Sequence, residues 1–213
     1  MTNQELNIKV CGPKDMFTED TLKLSLTSHA AAINPIGWKD LWLLSPFSLV
    51  KGRVIVPGMK GKTSKTVENV WQFLKVWQGE EQWDKETALA AFDSDCAMRF
   101  PRGKGAKHRG LFWGETGEIL DLVVGRFRIY FKAYCQMLSM PDRQEIINRI
   151  RIEAQKRPVV IWDYDSYDFE KEGLSKLFET IKYTQRSFAH AFICEMAIRN
   201  QLSEFENFNL ELL

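Results

Sequence analysis

Hydrophobic residues recur along the chain with two different periods, and each period predicts a different element. Apolar residues alternate over residues 22–26, which is the period of a β-strand, and residues 7–10 form another short extended candidate. The continuous apolar run over residues 159–162 is rich in β-branched side chains and predicts a buried strand. The segment from 34 to 66 is rich in Pro, Gly and aromatic residues, so it predicts loops and short strands.

Hydrophobic positions at helical spacing predict the rest of the secondary structure. The predicted helices cover residues 66–77 (with Thr66 as N-cap), 120–138, 142–156, 171–182 and 187–201. We therefore expect an α+β protein that is mainly helical, with a few short strands. We divide the chain into an N-terminal extension with short strands (1–40), a single domain (41–203) and a loosely held tail (204–213).

Composition and charge narrow the class of protein. The chain has 213 residues, 45% of them hydrophobic, and a formal net charge of +1, which is ordinary for a globular protein. Its apolar runs are too short to span a membrane, and its N-terminus lacks the pattern of a secretory signal. The four cysteines lack paired spacing, which favours thiols in a reducing compartment. We expect a cytoplasmic protein (in the host cytoplasm if it is phage-encoded) with no metal and no cofactor.

The predicted helix over 66–77 carries the first candidate chemistry. Glu68, Gln72 and Lys75 lie at i, i+4 and i+7, so a helix places them on one face, with Trp71 beside them. A carboxylate, an amide and an amine in a row beside an aromatic ring can bind a polar ring and act on it. The alternative is a solvated helix stripe, in which Glu68 interacts favourably with the helix dipole.

A basic segment over residues 96–114 carries the second candidate. It contains no acidic residue, and its basic residues are Arg99, Arg102, Lys104, Lys107, His108 and Arg109. Glycines within it let a ligand approach the backbone, so the segment suits phosphate binding. A solvent-exposed basic loop is the alternative. Trp113 at its end is more typical of a core residue than of a stacking platform.

Carboxylates that follow the predicted strand over 159–162 form the third candidate. Asp163, Asp165 and Asp168 would lie at the carboxyl end of that strand, where α/β proteins place their sites. They could bind ribose hydroxyls or a metal, or shift one another's pKa. A polar turn that ends the strand is the alternative. His190, which is flanked by apolar residues, is typical of a core histidine with a hydrogen-bond partner.

Several of these segments together resemble a known family. Ser45-Pro46-Phe47, an extended stretch that ends at Pro57, and the helix from Thr66 to Lys75 resemble the NADAR superfamily of YbiA-like proteins. The chain is also similar to an uncharacterised bacterial and phage family of the same kind, through an ordered series of matches between residues 44 and 196. These matches include Lys107-His108-Arg109-Gly110, Arg126-Phe127-Arg128-Ile129-Tyr130 with Tyr134, residues 159–164 and Phe188-Ala189-His190-Ala191.

The resemblance implies a NADAR-like domain and N-glycosidic chemistry on ribosylated substrates. It makes Glu68 and Lys75 the catalytic residues, and it places Trp113, Asp163 and Asp165 near the substrate. Together with the patterns described above, it leads to one set of expected substrate-binding residues. They are Ser45, Phe47, Trp71, Gln72, Arg102, Lys104, His108, Arg109, Trp113, Asp163 and Asp165.

Three functions follow as hypotheses. The first is an N-glycosidase that removes ADP-ribose from guanine in nucleic acid, or cleaves a related nucleotide, and so reverses DNA ADP-ribosylation. Asn69 and Phe73 depart from the family pattern. These departures motivate the alternative, a non-catalytic phage counter-defence protein that binds and neutralises a DNA ADP-ribosyltransferase toxin. The third is a nucleic-acid-binding module that uses residues 99–109. The expected partners are ADP-ribosylated nucleic acid or nucleotide, or that toxin, and no membrane.

Overall fold

The structure is a computed structural model that describes residues 6–12, 14–27 and 34–206. The chain divides into two compact units. The continuous unit is Pro46–Met137, and the two-segment unit combines the described residues of Met1–Ser45 with those of Leu138–Leu213. The predicted division at residues 40 and 203 stays a prediction, and most of the predicted tail lies outside the described residues.

The described residues form an α+β structure of helices and a few short strands, as the sequence predicts. The strands are β1 (Ile8–Cys11), β2 (Leu22–Ser25), β3 (Val54–Ile55), β4 (Thr63–Ser64), β5 (Lys75–Trp77), β6 (His108–Trp113), β7 (Glu118–Leu120) and β8 (Val159–Trp162). The α-helices are α1 (Val67–Phe73), α2 (Lys85–Asp93), α3 (Leu122–Gly125), α4 (Lys132–Leu138), α5 (Pro141–Ala154), α6 (His190–Ile198) and α7 (Leu202–Glu206). A π-helix covers Arg126–Phe131, and 3₁₀ helices cover Lys39–Leu44 and Leu177–Ile181.

The two-segment unit contains a parallel sheet in the order β1-β8-β2. Strand β8 lies in the middle, and its four residues are all buried, which agrees with its continuous apolar sequence. Both outer strands align with it in the same register, since Ile8 and Leu22 each pair with Val159. The strands predicted at the start of the chain and at 159–162 are therefore confirmed.

The continuous unit contains the antiparallel sheet β5-β6-β7, the hairpin β3–β4, and helices α1 and α2. Helix α3, the π-helix and α4 follow one another without a break over residues 122–138, which confirms the predicted helical segment except at its start, where Leu120 belongs to β7. The Asp121 carboxylate begins this run by accepting hydrogen bonds from the amides of Val123 and Val124. The extra residue per π-turn lets the run change its buried face along its length.

Three predicted helices differ from the observed ones. The helix predicted over 66–77 ends at Phe73, because Lys75–Trp77 pairs with β6 instead and the Leu74 carbonyl accepts from the Phe112 amide at 2.7 Å. The helices predicted over 171–182 and 187–201 shorten to the second 3₁₀ helix and to α6. Helix α2 lies in a segment to which the sequence assigned no element. None of the helices in the described ranges has the length and apolar character needed to cross a membrane.

Candidate functional site

Helix α1 carries a carboxylate into the interior of the continuous unit. The Thr66 hydroxyl accepts a hydrogen bond from the Asn69 amide at 3.1 Å and caps the helix. The Glu68 amide donates to the Pro46 carbonyl at 2.9 Å, which anchors the first turn to the preceding loop. Six of the seven residues of α1 are buried, and Glu68 is 5% exposed. The solvated stripe considered from the sequence is therefore wrong.

A chain of hydrogen bonds connects Glu68 to Lys75 through Gln72. The Gln72 amide nitrogen Nε2 donates to Glu68 Oε1 at 2.7 Å. The other end of the same amide, Oε1, accepts from Lys75 Nζ at 2.8 Å. The carboxylate can only accept and the ammonium can only donate, so the amide is held in one orientation between them. The row predicted from the sequence exists, although Lys75 reaches it from strand β5.

The amine of Lys75 lies against two indole rings. Its Nζ is 5.0 Å from the ring centre of Trp71 and 5.6 Å from that of Trp77. Burial lowers the pKa of Lys75 from 10.5 to about 8, and the neighbouring Glu68 carboxylate opposes this by raising it. About a tenth of the amine is therefore unprotonated at pH 7, which is enough for it to act as a nucleophile.

His108, at the start of β6, borders the same cluster. Its ring meets the ring of Trp77 edge to face at 6.1 Å, and the two residues are opposite each other in the β5–β6 pairing. The pKa of His108 lies below its usual value, chiefly because the ring is buried and also because the cations Lys75 and Arg126 lie nearby. A hydrogen bond involving Gly110 acts in the opposite direction. His108 is therefore neutral at pH 7 in the free protein.

Asn69 is a structural residue that the sequence did not identify. Its side chain is fully buried and makes three hydrogen bonds. The Nδ2 group donates to the carbonyls of Ala91 and Cys96 at 2.8 and 3.0 Å, and Oδ1 accepts from the Met98 amide at 2.9 Å. The start of the basic segment is thereby tied to α1. The one signal in the sequence for such a role is the position of Asn69, directly after Glu68 on the helix that Thr66 is predicted to cap.

The arginines of the basic segment are engaged within the protein. Arg102 bridges Glu80 and Asp84, with both nitrogen–oxygen distances at 2.9 Å. Arg109 donates to the Glu81 carbonyl at 2.7 Å. These contacts hold the segment against the connection between β5 and α2. Lys104 is exposed, and its predicted role in substrate binding stays a prediction.

Trp113 and Phe47 also belong to the continuous unit. The Trp113 ring covers Gly58, where an added Cβ would lie 2.4 Å from its Cε3 atom, and Arg128 lies 5.8 Å from its ring centre. Gly58 also has a φ of +73°, so close packing and turn geometry both favour glycine there. Phe47 is half-buried in the loop that precedes α1. These contacts give Trp113 a packing role, and its predicted place beside the substrate stays a prediction.

The remaining predicted site residues lie in the two-segment unit. Asp163 Oδ2 lies 2.8 Å from His190 Nδ1, and both side chains are buried. This confirms His190 as a core histidine with a partner. Asp163 is that partner, so its carboxylate holds the His190 ring in place. Asp165 is exposed, and Ser45 is buried with its amide bonded to the Trp42 carbonyl at 2.9 Å. The structure thus places Glu68, Gln72, Lys75, Trp71 and His108 together within the other unit.

Comparison with known proteins identifies the family. A family model matches residues 24–176, which is more than half of the chain. The chain belongs to DUF6939, a family of unknown function. Searches of the curated proteins and of the solved structures find no match. In the described part of this DUF6939 protein, no three His, Cys, Asp or Glu side chains are arranged to hold a metal ion.

The expected membership of the NADAR superfamily is wrong, because the match is to DUF6939. The motifs that suggested it are short, between three and ten residues, and each of them is weak on its own, so they recur in unrelated chains. Membership of DUF6939 carries no activity with it. The roles of Glu68 and Lys75 therefore depend on their geometry in this structure.

Proposed function

We propose that this DUF6939 protein is an N-glycosidase that cleaves the bond between a ribose and a nucleobase. One observation carries the proposal: the Lys75 amine, with its pKa at about 8, is connected through one amide to the buried carboxylate of Glu68. An amine with a lowered pKa is an effective nucleophile towards a sugar carbon, and a buried carboxylate stabilises positive charge on that carbon.

The proposed reaction uses both groups in turn. The bond between ribose C1′ and the nucleobase nitrogen breaks, and its electron pair leaves with the base. The Glu68 carboxylate stabilises the positive charge that develops at C1′. The Lys75 amine bonds to C1′ and its proton passes to the base nitrogen. Water then replaces the amine at C1′, which releases the sugar with a new hydroxyl and restores Lys75.

Aromatic rings beside the amine support a nucleoside-like substrate. The Trp71 ring is partly exposed, and its contact with Tyr130, at a ring-centre distance of 5.2 Å, holds it in place. An indole held in this way offers a flat face on which a nucleobase or a ribose can stack. Within this class we propose ADP-ribosylated guanine in nucleic acid as the substrate, so that the reaction restores the unmodified base.

A release assay tests the proposal directly. Purified protein is incubated with guanine-ADP-ribosylated DNA, and free ADP-ribose is measured by mass spectrometry. We expect Lys75→Met and Glu68→Gln to lower release at least 100-fold, with Lys85→Met, a change at an exposed lysine on α2, as the matched control. Release by the wild type should rise with pH through about 8, as Lys75 loses its proton.

Covalent trapping provides a second measurement on the same step. Sodium borohydride reduces the ring-opened imine between Lys75 and C1′ to a stable secondary amine, so the protein should gain the mass of the sugar at Lys75. Absence of both release and trapping with correctly folded wild-type protein would rule out the glycosidase. The binding of a toxin without catalysis stays a prediction, and no contact in the described residues favours it, since Asn69 is accounted for by its structural bonds.

A further inference from the structure

The loop of residues 98–107 is a feature that the glycosidase reaction described above does not use. Nine of its ten residues are exposed, and it contains four cations and no acidic residue. Two large apolar side chains lie among these cations, and Met98 and Phe100 are each 48% exposed. Apolar surface in water is unfavourable, whereas an exposed ring among cations is the composition of surfaces that bind anionic chains with flat groups.

Hydrogen bonds hold the 98–107 loop in one conformation. The Gly103 amide donates to the Phe100 carbonyl at 3.1 Å, which closes a turn at the ring-bearing residue. The Arg99 guanidinium lies 5.3 Å from the centre of the Phe100 ring. Gly103 and Gly105 have φ values of +88° and +89°, which glycine adopts without strain. The ring is therefore presented from a preformed backbone, so little entropy is lost when a partner binds.

Both ends of the loop are attached to elements of the candidate site. At its start, the Met98 amide donates to Asn69 Oδ1 at 2.9 Å, and Asn69 directly follows Glu68 on α1. At its end, the Lys107 carbonyl accepts from the Gln78 amide at 2.9 Å, directly after β5. The loop thus begins beside α1 and ends beside β5, the two elements that carry the proposed catalytic groups.

One crevice connects the loop to the Lys75 amine. It is lined by Lys75 and Trp77 of β5 and by Arg102 of the loop. Glu80 and Asp84 also line it, and Arg102 bridges their carboxylates with both nitrogen–oxygen distances at 2.9 Å. A chain that lies along the loop can therefore extend to the proposed site of reaction.

Lys104 and Lys107 carry the positive charge that the loop offers to a partner. Both are exposed, and neither forms an ion pair within the described residues. The charge of Arg102 is offset by the carboxylates that it bridges, and Glu81 adds an exposed carboxylate in the same border. The surplus of positive charge is therefore modest, so an anion bound here needs a second contact, which the Phe100 ring supplies.

We infer that the 98–107 loop binds a single-stranded nucleic acid, with a base stacked on Phe100 and phosphates at Lys104 and Lys107. The inference rests on the proposed function and deepens it, because it makes the substrate single-stranded. A single strand exposes the faces of its bases, whereas neighbouring bases cover those faces in a duplex. A guanine in a single strand also reaches the crevice without the cost of breaking a base pair.

Binding of oligothymidine to the full chain tests the inference without any turnover. Oligothymidine contains neither guanine nor ADP-ribose, so its binding does not depend on the glycosidase reaction. Fluorescence anisotropy of the labelled strand measures the affinity at increasing salt from about 50 mM, and the same strand paired with oligoadenine provides the duplex. We expect the single strand to bind about tenfold more tightly than the duplex, because only its bases can stack on Phe100.

The variants separate stacking from charge. Phe100→Leu keeps an apolar side chain but removes the ring, so it should weaken single-strand binding about tenfold and leave duplex binding unchanged. The double variant Lys104→Met with Lys107→Met should lower the slope of log affinity against log salt by about 1.4, because two phosphate contacts are lost. Glu81→Gln removes the opposing carboxylate and should tighten binding.

Two exposed residues of the same unit provide matched controls. Ile55→Ala changes an apolar side chain on β3 that is 59% exposed, and Lys132→Met changes an exposed lysine at the start of α4. Both should bind oligothymidine as the wild type does. Circular dichroism checks that each variant is folded. Phe100→Trp, which enlarges the stacking face, should tighten single-strand binding, and it carries the test if Phe100→Leu is not folded.

Three results would each overturn the inference. The first is equal affinity of the wild type for the single strand and the duplex. The second is binding that the lysine variants weaken while Phe100→Leu and Phe100→Trp leave it unchanged, since charge alone would then explain it. The third is no binding of the single strand up to about 100 μM wild-type protein at the lowest salt.

This inference and the proposed function can fail separately. Oligothymidine binding with the expected variant effects, but without release of ADP-ribose from modified DNA, would retain the single-strand site and reject the glycosidase. Release that is equal from single-stranded and duplex DNA and unchanged in Phe100→Leu, without oligothymidine binding, would retain the glycosidase and reject the single-strand site.

Discussion

At the scale of single residues, burial sets the chemistry of Lys75. Its amine donates to the Gln72 amide oxygen and lies against two indole rings. The Glu68 carboxylate, on the other side of the Gln72 amide, attracts its positive charge. Desolvation disfavours the charged amine more than Glu68 favours it, so the pKa falls to about 8. A residue in this state lowers the stability of the fold at neutral pH, which is common for residues that serve a function.

Lys75→Met should therefore stabilise the protein at pH 7, by up to about 3 kcal/mol. The folded pKa of about 8 lies below the unfolded value of 10.5, so the unfolded state binds the proton more tightly. The stability of the wild type then rises relative to the variant between pH 8 and 10.5, and the difference closes there. Urea unfolding at pH 7, 9 and 10.5 measures it, with Lys85→Met as control. If the free energies of unfolding of the wild type and Lys75→Met differ by the same amount at all three pH values, the pKa of Lys75 is not lowered in the folded protein.

At the scale of elements, helix α6 protects the outer edge of the parallel sheet. Glu195 Oε2 accepts from the Val10 amide at 3.1 Å, and Arg199 donates to the Ile8 carbonyl. The two side chains also bond to each other at 2.9 Å. Together they occupy the outward-facing polar groups of β1 much as a neighbouring strand would, which prevents pairing with another chain.

This contact predicts a pH dependence of stability. Burial raises the pKa of Glu195 to about 7, although Arg199 and the Val10 amide act to lower it. The folded pKa lies above the unfolded value of 4.5, so stability from this residue is complete below pH 4.5 and is lost as pH rises through 7. The loss should reach about 3 kcal/mol relative to Glu195→Gln, measured by urea unfolding from pH 4 to 8. Glu145→Gln, at an exposed position on α5, should show no such change.

At the scale of the whole molecule, the two units differ in how far apart along the chain their paired strands lie. Every strand of the continuous unit pairs within residues 46–137. The sheet of the two-segment unit pairs Leu22 with Val159, which lie more than 130 residues apart. Pairing at such a distance requires the closure of a long loop before any contact stabilises it, so it forms late in folding.

Residues 46–137 should consequently fold when they are produced alone. They contain their own sheet, the hydrogen-bond chain from Glu68 to Lys75, and buried residues such as Val70, Leu74 and Leu111. We expect a single cooperative transition in urea, monitored by tryptophan fluorescence and circular dichroism. If fluorescence and circular dichroism report broad transitions with different midpoints, this unit depends on the rest of the chain for its stability.

Local sequence patterns were sufficient for the elements whose own residues show a clear apolar run, helical period or cap. The apolar run of β8, the helical run over residues 122–138 and the Thr66 cap were all predicted, because backbone preference and burial leave a periodic trace in the sequence. The row formed by Glu68, Gln72 and Lys75 was predicted too. Its helical spacing holds only for Glu68 and Gln72, because the chain leaves the helix before Lys75.

Long-range pairing set the features that local patterns could not reveal. Strand β5 exists because β6, more than 30 residues later, bonds to it, and this pairing overrides the helical spacing of residues 66–77. The same folding brings Asn69 to the basic segment, and it leaves Arg102 between two carboxylates. Periodicity records which face of an element is buried. The partners of a buried polar group are set by how distant segments meet.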